Sequence, residues 1–341
     1  MTAESLWLQS GGLVTGLIFG IIVQRQRFCM VAAIGNLVLM RDWRHAHAFL
    51  AAFAVAIAGT QWLEASALVP VAESAYRQAR FDWLGATAGG LVFGFGATLA
   101  GGCAARLLVR SAEGSFGAWI ALLAFAVTAV VTQFGALAGA REHLTNLSAV
   151  SLNAGDSSLA VLLHVPPEIA GIVVAALCMV WLVIAGRGTH DRRLIIGGVA
   201  IGVLVVLAWW VTGNLARDEF TRIPPVALNI SGPLARITHV LVAGNGFSAG
   251  FGILFVFGTV LGAAVSAFFA GAHRWQVPEA RYIPHYLIGG AMMGLGATLA
   301  GGCNIGQGLS GVSTLSVGSL TAAGAIFIGA ILGVKWLERN T

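Results

Sequence analysis

Gly94-Phe95-Gly96-Ala97-Thr98-Leu99-Ala100-Gly101-Gly102-Cys103 returns, with one change, as Gly294-Leu295-Gly296-Ala297-Thr298-Leu299-Ala300-Gly301-Gly302-Cys303. Nine of the ten positions match at an offset of 200, and each copy closes an apolar run with Gly-Gly-Cys. Shared apolar composition does not keep a Thr, four Gly and a Cys in register. The chain therefore reads as two related halves, each delivering a thiol to an equivalent place.

The runs that lead into these motifs are typical of the chain. It has 341 residues, of which 57% are hydrophobic and 10% charged, with a mean hydropathy of +0.85. A spanning helix needs about 20 mostly apolar residues to cross a hydrocarbon core about 30 Å thick. Nine runs meet that need: 7–24, 45–63, 83–101, 115–139, 161–185, 193–213, 246–270, 284–301 and 314–336. The expected fold is an all-α integral membrane protein with about nine spans plus short re-entrant half-helices. The first run has no basic segment before it, so it reads as a span and not as a cleaved signal.

The net charge of +5 follows membrane topology. With the N-terminus outside, thirteen basic residues fall in inside loops, among them Arg25, Arg27, Arg41, Arg44, Arg106, Arg110 and Arg187. Six fall outside: Arg77, Arg80, Arg141, Arg217, Arg222 and Arg236. That asymmetry predicts an N-terminus outside and a C-terminus inside. It leaves no basic patch for nucleic acid.

The two decapeptides end the third and eighth spans. Five spans apart is an odd number, so equivalent spans cross in opposite directions and the repeat is inverted. One transmembrane domain covers 1–341, with a first repeat at 1–140, a connector holding the fifth span at 141–190, and a second repeat at 191–341. Inverted repeats recur in transporters, with the substrate site near the midplane at the repeat interface. Glycines spaced by four, as at Gly12, Gly16 and Gly20, Gly90 and Gly94, Gly246 and Gly250, Gly258 and Gly262, and Gly290 and Gly294, suit close helix packing.

The Gly-Gly pairs before Cys103 and Cys303 suit helix endings, since two successive Gly cost about 1 kcal/mol each inside a helix. The polar segments after them are too short to span, which predicts broken helices with half-helices following. Irregular backbone at this depth must be buried by protein or line a polar cavity. A third break lies at Gln24-Arg25-Gln26-Arg27-Phe28-Cys29, before a short apolar stretch ending at Met40. Its counterpart is expected between Arg222 and Arg236, at Ser231-Gly232-Pro233, where no Cys occurs. Cys178, in the connector, reads as a small packing residue. His45 and His47 read as interfacial.

A thiol beside a half-helix N-terminus sits where backbone N–H groups and the helix dipole favour negative charge. Soft sulfur there suits Cu(I) or a solute that itself carries sulfur or selenium. Gln, Arg, Asn and Gly flank the three sites, and Arg25, Arg27 and Arg106 attract anions. A sulfur oxyanion fits both features, with no cofactor and no metal. A membrane thiol oxidoreductase is the competing reading; it calls for a close pair such as C-x-x-C, and none occurs.

These residues also carry a resemblance. The Gln24–Cys29 stretch after a Gly-spaced first span, the two Gly-Gly-Cys copies, and Ser231-Gly232-Pro233 between them resemble the YeeE/YedE family of sulfur transporters over nearly the whole chain. The resemblance implies an hourglass-like protein of a bacterial inner membrane that imports thiosulfate without catalysis, the substrate passing between thiols by transient S–H···S contacts. The family's three functional cysteines map onto Cys29, Cys103 and Cys303. Gly102, Gly302, Arg27, Arg106, Asn304, Gln307 and Ser231 form the supporting substrate-binding set. A TusA-like sulfur-carrier protein is the implied cytoplasmic partner, and another sulfur or selenium compound is the alternative substrate.

Overall fold

A computed structural model describes residues 3–151, 156–185, 191–216, 224–244 and 249–340; Arg187, Arg217, Arg222 and Gly246 lie outside them. The helices run α1 (Ala3–Gln26), α2 (Met30–Met40), α3 (Arg44–Ala65), α4 (Trp83–Leu99), α5 (Ala104–Ala112), α6 (Phe116–Gln133) and α7 (Ala138–Ser148). They continue as α8 (Leu159–Leu162), α9 (Pro167–Ala185), α10 (Arg192–Trp210), α11 (Ser231–Ala243), α12 (Phe251–Phe269), α13 (Ile283–Leu299) and α14 (Val317–Asn340). A π-helical turn, Gly306–Gly311, precedes α14. In the loops, β1 (Arg80–Asp82) pairs antiparallel with β2 (Ala149–Ser151).

Seven helical stretches among the described residues are long and apolar enough to cross a bilayer: Leu6–Met40, Arg44–Ala65, Trp83–Ala112, Phe116–Gln133, Arg192–Leu215, Phe251–Phe269 and Val317–Asn340. Of the nine expected runs, the eighth forms α13 at 17 residues, and the described apolar part of the fifth is Ile169–Cys178. The fifth run was expected to start at 161. Its long helix starts instead at Pro167, because the Pro166-Pro167 pair ends one turn and proline suits the first position of the next. The fourth run stops at Gln133, and the chain then turns into α7 instead of continuing to 139.

Large apolar side chains such as Ile18, Leu123, Ile172, Val203, Leu261 and Leu332 face outward. Helices satisfy their own backbone hydrogen bonds, so an apolar exterior on them suits hydrocarbon. Inside, α1 packs along α12, α10 along α3, α14 along α4, and α13 along both α6 and α4. Glycine allows these contacts. A Cβ on Gly12, Gly16 or Gly20 would run into the carbonyls of Phe251, Phe255 or Thr259. Gly258 and Gly262 answer against Leu13 and Leu17, and Gly294 rests on Phe125. Gly250 departs from this scaffold role: beyond its own chain neighbours, no atom of the described residues lies within 4 Å of where its Cβ would stand, and it caps α12.

The α4–α13 crossing is reciprocal. A Cβ on Gly89 would stand 2.8 Å from the Gly296 oxygen, and one on Gly289 would stand 2.7 Å from the Gly96 oxygen. The helix ends that follow this crossing hold the thiols. His47, expected at an interface, is buried beside the rings of Trp43 and Trp181.

Candidate functional site

Both decapeptides terminate their helices in the same way. Gly101 and Gly301 take left-handed φ values of 71° and 73°, a conformation that costs glycine little. After α4, the Gly102 N–H reaches back to the Ala97 carbonyl at 2.9 Å and the Gly101 N–H to Thr98 at 3.1 Å. After α13, the Gly302 N–H bonds the Ala297 carbonyl at 2.8 Å. This double bond pattern is a Schellman ending. Gly102 and Gly302 then lie under the side chains of Arg106 and Gln307, where a Cβ would meet Arg106 Cγ at 3.1 Å and Gln307 Cγ at 3.0 Å.

Each ending delivers a cysteine just before the next short helical segment, Cys103 in extended conformation. Cys103 caps α5, and its carbonyl accepts the Leu107 N–H at 2.9 Å. Cys303 precedes the π-helical turn, and its carbonyl accepts the Gln307 N–H at 2.7 Å. Cys29 caps α2, after Arg27 has ended α1 with a left-handed φ of 52°. Neither Cys29 nor Cys103 uses its side chain to cap a helix N–H, so both sulfurs are free to meet other groups. All three thiols are buried in one cluster.

The cluster resolves into two contacts. Cys29 Sγ lies 4.0 Å from Cys103 Sγ. Cys303 Sγ lies 4.0 Å from the amide oxygen of Asn229. Both contacts join residues 74 apart in the chain, and Asn229 stands 200 positions after Cys29. Asn229 was missed in the sequence, although the same offset that relates Cys103 to Cys303 points to it. Ser231 donates to the Asn229 oxygen from its N–H at 3.2 Å and from its hydroxyl at 3.0 Å, so it orients Asn229. The expected absence of a close thiol pair is corrected here: packing brings Cys29 and Cys103 together without any C-x-x-C.

Charge gathers on the Cys29 side. A cavity of about 540 Å³ leads to Cys29 and is lined by Arg27, Leu39, Gly101, Arg106 and Glu338, among others. Arg106 is ion-paired with Glu113 at 3.4 Å, and Gln24 reaches Glu113 at 3.5 Å while accepting a bond from Ser266 at 2.8 Å. Arg25 also bonds Ser266, at 3.3 Å. Part of the positive charge is thus spent inside the protein.

The groups nearest Cys303 are neutral. Gln307 donates to the Ala300 carbonyl at 2.9 Å and accepts from Ser319 at 2.6 Å, so its amide braces the end of α13. Asn304 is buried on the wall of a second cavity. Tyr76 covers this side, its ring 6.1 Å from that of Trp209 and its carbonyl bonded by Ser316 at 2.6 Å. Burial, with Cys303 nearby, pushes the Tyr76 hydroxyl above its usual pKa, so it stays a neutral donor. The loop carrying it is fixed by Arg77, which is buried and pairs with both Glu64 and Asp156. No pattern in the sequence separates Arg77 from the arginines that merely mark an outer loop. Among the described residues, no three His, Cys, Asp or Glu side chains group to hold a metal.

The sequence profile of a family described as "Sulphur transport" matches residues 25–332. A protein of Escherichia coli (strain K12) named "Thiosulfate transporter TsuA" is 29% identical over 347 residues, which covers 96% of this chain and 93% of the relative. A protein of the same name from Spirochaeta thermophila is 29% identical over 333 residues, covering 93% of this chain and 96% of the relative.

Proposed function

Because the chain belongs to the sulphur transport family, we propose that it carries thiosulfate across the bacterial inner membrane along a path set by Cys29, Cys103 and Cys303. It is a transporter, not an enzyme. One observation carries the reading: the Cys29–Cys103 contact has a counterpart, Asn229–Cys303, of equal length at the 200-residue offset. The path runs from the neutral side of Cys303 past Cys103 to Cys29 and the arginine-lined cavity.

Thiosulfate presents a soft terminal sulfur and charged oxygens. A thiol is a weak donor and a weak acceptor through a polarisable sulfur, so contact with the terminal sulfur is brief and needs no covalent bond. The short helices α2, α5 and α11 begin at the path, and their N-terminal dipoles favour an anion. Gly102 and Gly302 keep the approach to each thiol narrow. Arg27 and Arg106 draw the anion out toward the arginine-lined cavity, Ser231 holds Asn229, and Gln307 holds the Cys303 arm. Asn304 adds a polar group directly after Cys303.

The architecture we infer is an inverted repeat of nine spans, with α2, α5, α11 and the turn at Gly306–Gly311 re-entrant. Exchange of equivalent helices supports it: α1 on α12 becomes α10 on α3, and α4 on α14 becomes α13 on α6. The N-terminus is then periplasmic, and the arginine-lined cavity faces the cytoplasm, where a TusA-like carrier would receive the sulfur.

Uptake of radiolabelled thiosulfate into proteoliposomes tests the proposal, with sulfate, sulfite and selenite as competitors. Uptake lost in Cys103→Ala and Cys303→Ala is the expected result, and full uptake in both would end the thiol path. Competition by sulfate would make this a general oxyanion route. Transport along this path needs no disulfide between Cys29 and Cys103, whose sulfurs lie 4.0 Å apart; thiol trapping that showed a disulfide following redox poise would count against it.

A further inference from the structure

A second cavity, of about 460 Å³, lies between α2, α3, α9 and α14. Phe49, Phe53 and Cys178 contribute to its walls. Trp43, Trp181, Leu320 and Phe327 stand at it and are each more than a third exposed, so it opens sideways toward the bilayer. Its size falls within the roughly 300–1,000 Å³ of small-molecule sites, which pair apolar walls with few polar groups.

The cavity has a cause in the sequence. In the first arm Ala104 and Leu108 are buried side chains that fill space. At the same offset the second arm has Asn304 and Gly308, and both line the cavity. Gly308 leaves the room that a leucine would take. The short α2 rises about 16 Å along 11 residues, so it does not close the wall between α3 and α14 over a bilayer core of about 30 Å. Asn304 is 3% exposed, and both its amide oxygen and its amide nitrogen are buried with no hydrogen-bond partner among the described residues. Buried amides are ordinarily paired, so this one lacks a partner that enters through the cavity.

We propose that the cavity binds a neutral, membrane-dissolved lipid of the isoprenoid-quinone class, its ring head hydrogen-bonded to Asn304. Charged phospholipid heads stay at the interface, and an acyl chain ends in a methyl group that cannot satisfy an amide. A quinone dissolves in the hydrocarbon and brings carbonyl oxygens to this depth. Its carbonyl accepts from Asn304 Nδ2, and in the reduced form its hydroxyl donates to Asn304 Oδ1. The aromatic walls suit a planar ring. The site adjoins Cys303 through the peptide bond to Asn304, so occupancy steadies the arm that holds the inner thiol. Binding requires no thiosulfate, and its test is separate from transport.

In a Cys29→Ser/Cys103→Ser/Cys303→Ser chain in nanodiscs, Cys178 on the cavity wall is the sole thiol, and its alkylation by N-phenylmaleimide reports occupancy. Decylubiquinone at twice its dissociation constant should slow alkylation about threefold, as 1 + [L]/Kd requires. Asn304→Leu should remove that protection, and Gly308→Leu should slow alkylation with no ligand present. In the chain with all its cysteines, decylubiquinone should quench tryptophan fluorescence, and less so in Trp43→Phe/Trp181→Phe. Equal protection by dodecane would reduce the site to a plain acyl-chain groove and overturn the proposal. So would absence of protection together with unchanged quenching in the tryptophan variant.

Discussion

The two thiol contacts share a geometry and differ in chemistry. Cys29 meets Cys103 at 4.0 Å among Arg27, Arg106 and Glu113, whereas Cys303 meets Asn229 at 4.0 Å among neutral amides and hydroxyls. At the 200-residue offset Arg27 becomes Ala227, Arg106 becomes Gly306 and Glu113 becomes Ser313. The backbone repeats because helix ends of the Gly-Gly kind need the same local residues. The charges do not repeat: one contact is set among neutral groups and the other beside arginines, which raise the local concentration of an anion.

The largest effect expected from breaking this comparison comes from the thiols themselves. Cys103→Ala and Cys303→Ala should each lower thiosulfate uptake at least about tenfold, the equivalent of about 1.4 kcal/mol at the barrier. Serine at the same sites keeps a donor but loses the soft atom, and uptake equal to wild type in both serine variants would reduce the path to anion binding.

Asn229 sharpens the comparison next. Asn229→Cys gives the second contact two sulfurs, and mild oxidation should then cross-link residues 229 and 303 as readily as 29 and 103, read as a gel shift after cleavage between them. Failure to cross-link would separate the two sites. Asn229→Leu should lower uptake several-fold by leaving the Ser231 hydroxyl and the Cys303 thiol without their acceptor.

A smaller effect belongs to the arginines. The double variant Arg27→Gln/Arg106→Gln should lose most of the salt dependence of transport while keeping the thiol chemistry. Screening grows as the Debye length falls from about 30 Å at 0.01 M to about 8 Å at 0.15 M. Uptake rates at both ionic strengths give the test, and an unchanged salt slope would remove the arginines from the path.

The smallest effect lies at the far ends of the repeated helices. Asp82 caps α4 and accepts bonds from the Gly85 N–H, Thr145 and Ser148 at 2.7 to 2.8 Å. Its counterpart Tyr282 makes no side-chain cap on α13, which relies on a proline in its first turn. Burial alone would raise the Asp82 pKa, but the bonds from Ser148, Gly85 and Thr145 outweigh it and hold the pKa below the usual carboxylate value. A depressed folded pKa means that the stabilisation is whole above the unfolded value of about 3.9 and is lost as pH falls through the lower folded one. Asp82→Ala should cost about 1 kcal/mol as a lost cap and flatten that acid limb in a detergent-solubilised melt. An unchanged acid limb would take Asp82 out of it.

Much of this was open to reading before any coordinates. Gly101 and Gly301 announce helix endings because termination is decided within a few residues by a positive φ. The starts of α5 and α2 after Cys103 and Cys29 follow directly. Other residues were not legible in this way. Gln307 looks like a polar lining residue but spends both ends of its amide on Ala300 and Ser319. Arg77 looks like an outer-loop arginine but is buried between two carboxylates. Each of these turns on a partner that comes from elsewhere in the chain.

Local rules therefore settled the membrane class, the sequence repeat, the breaks and the thiols that follow them, since periodicity, glycine and hydropathy act over one or two helical turns. Tertiary structure alone decided that Cys29 faces Cys103, that Asn229 takes the matching place beside Cys303, and that Glu113 draws on the charge of Arg106. Those pairings join residues brought together by helices packing glycine against carbonyl, and that packing depends on both surfaces at once.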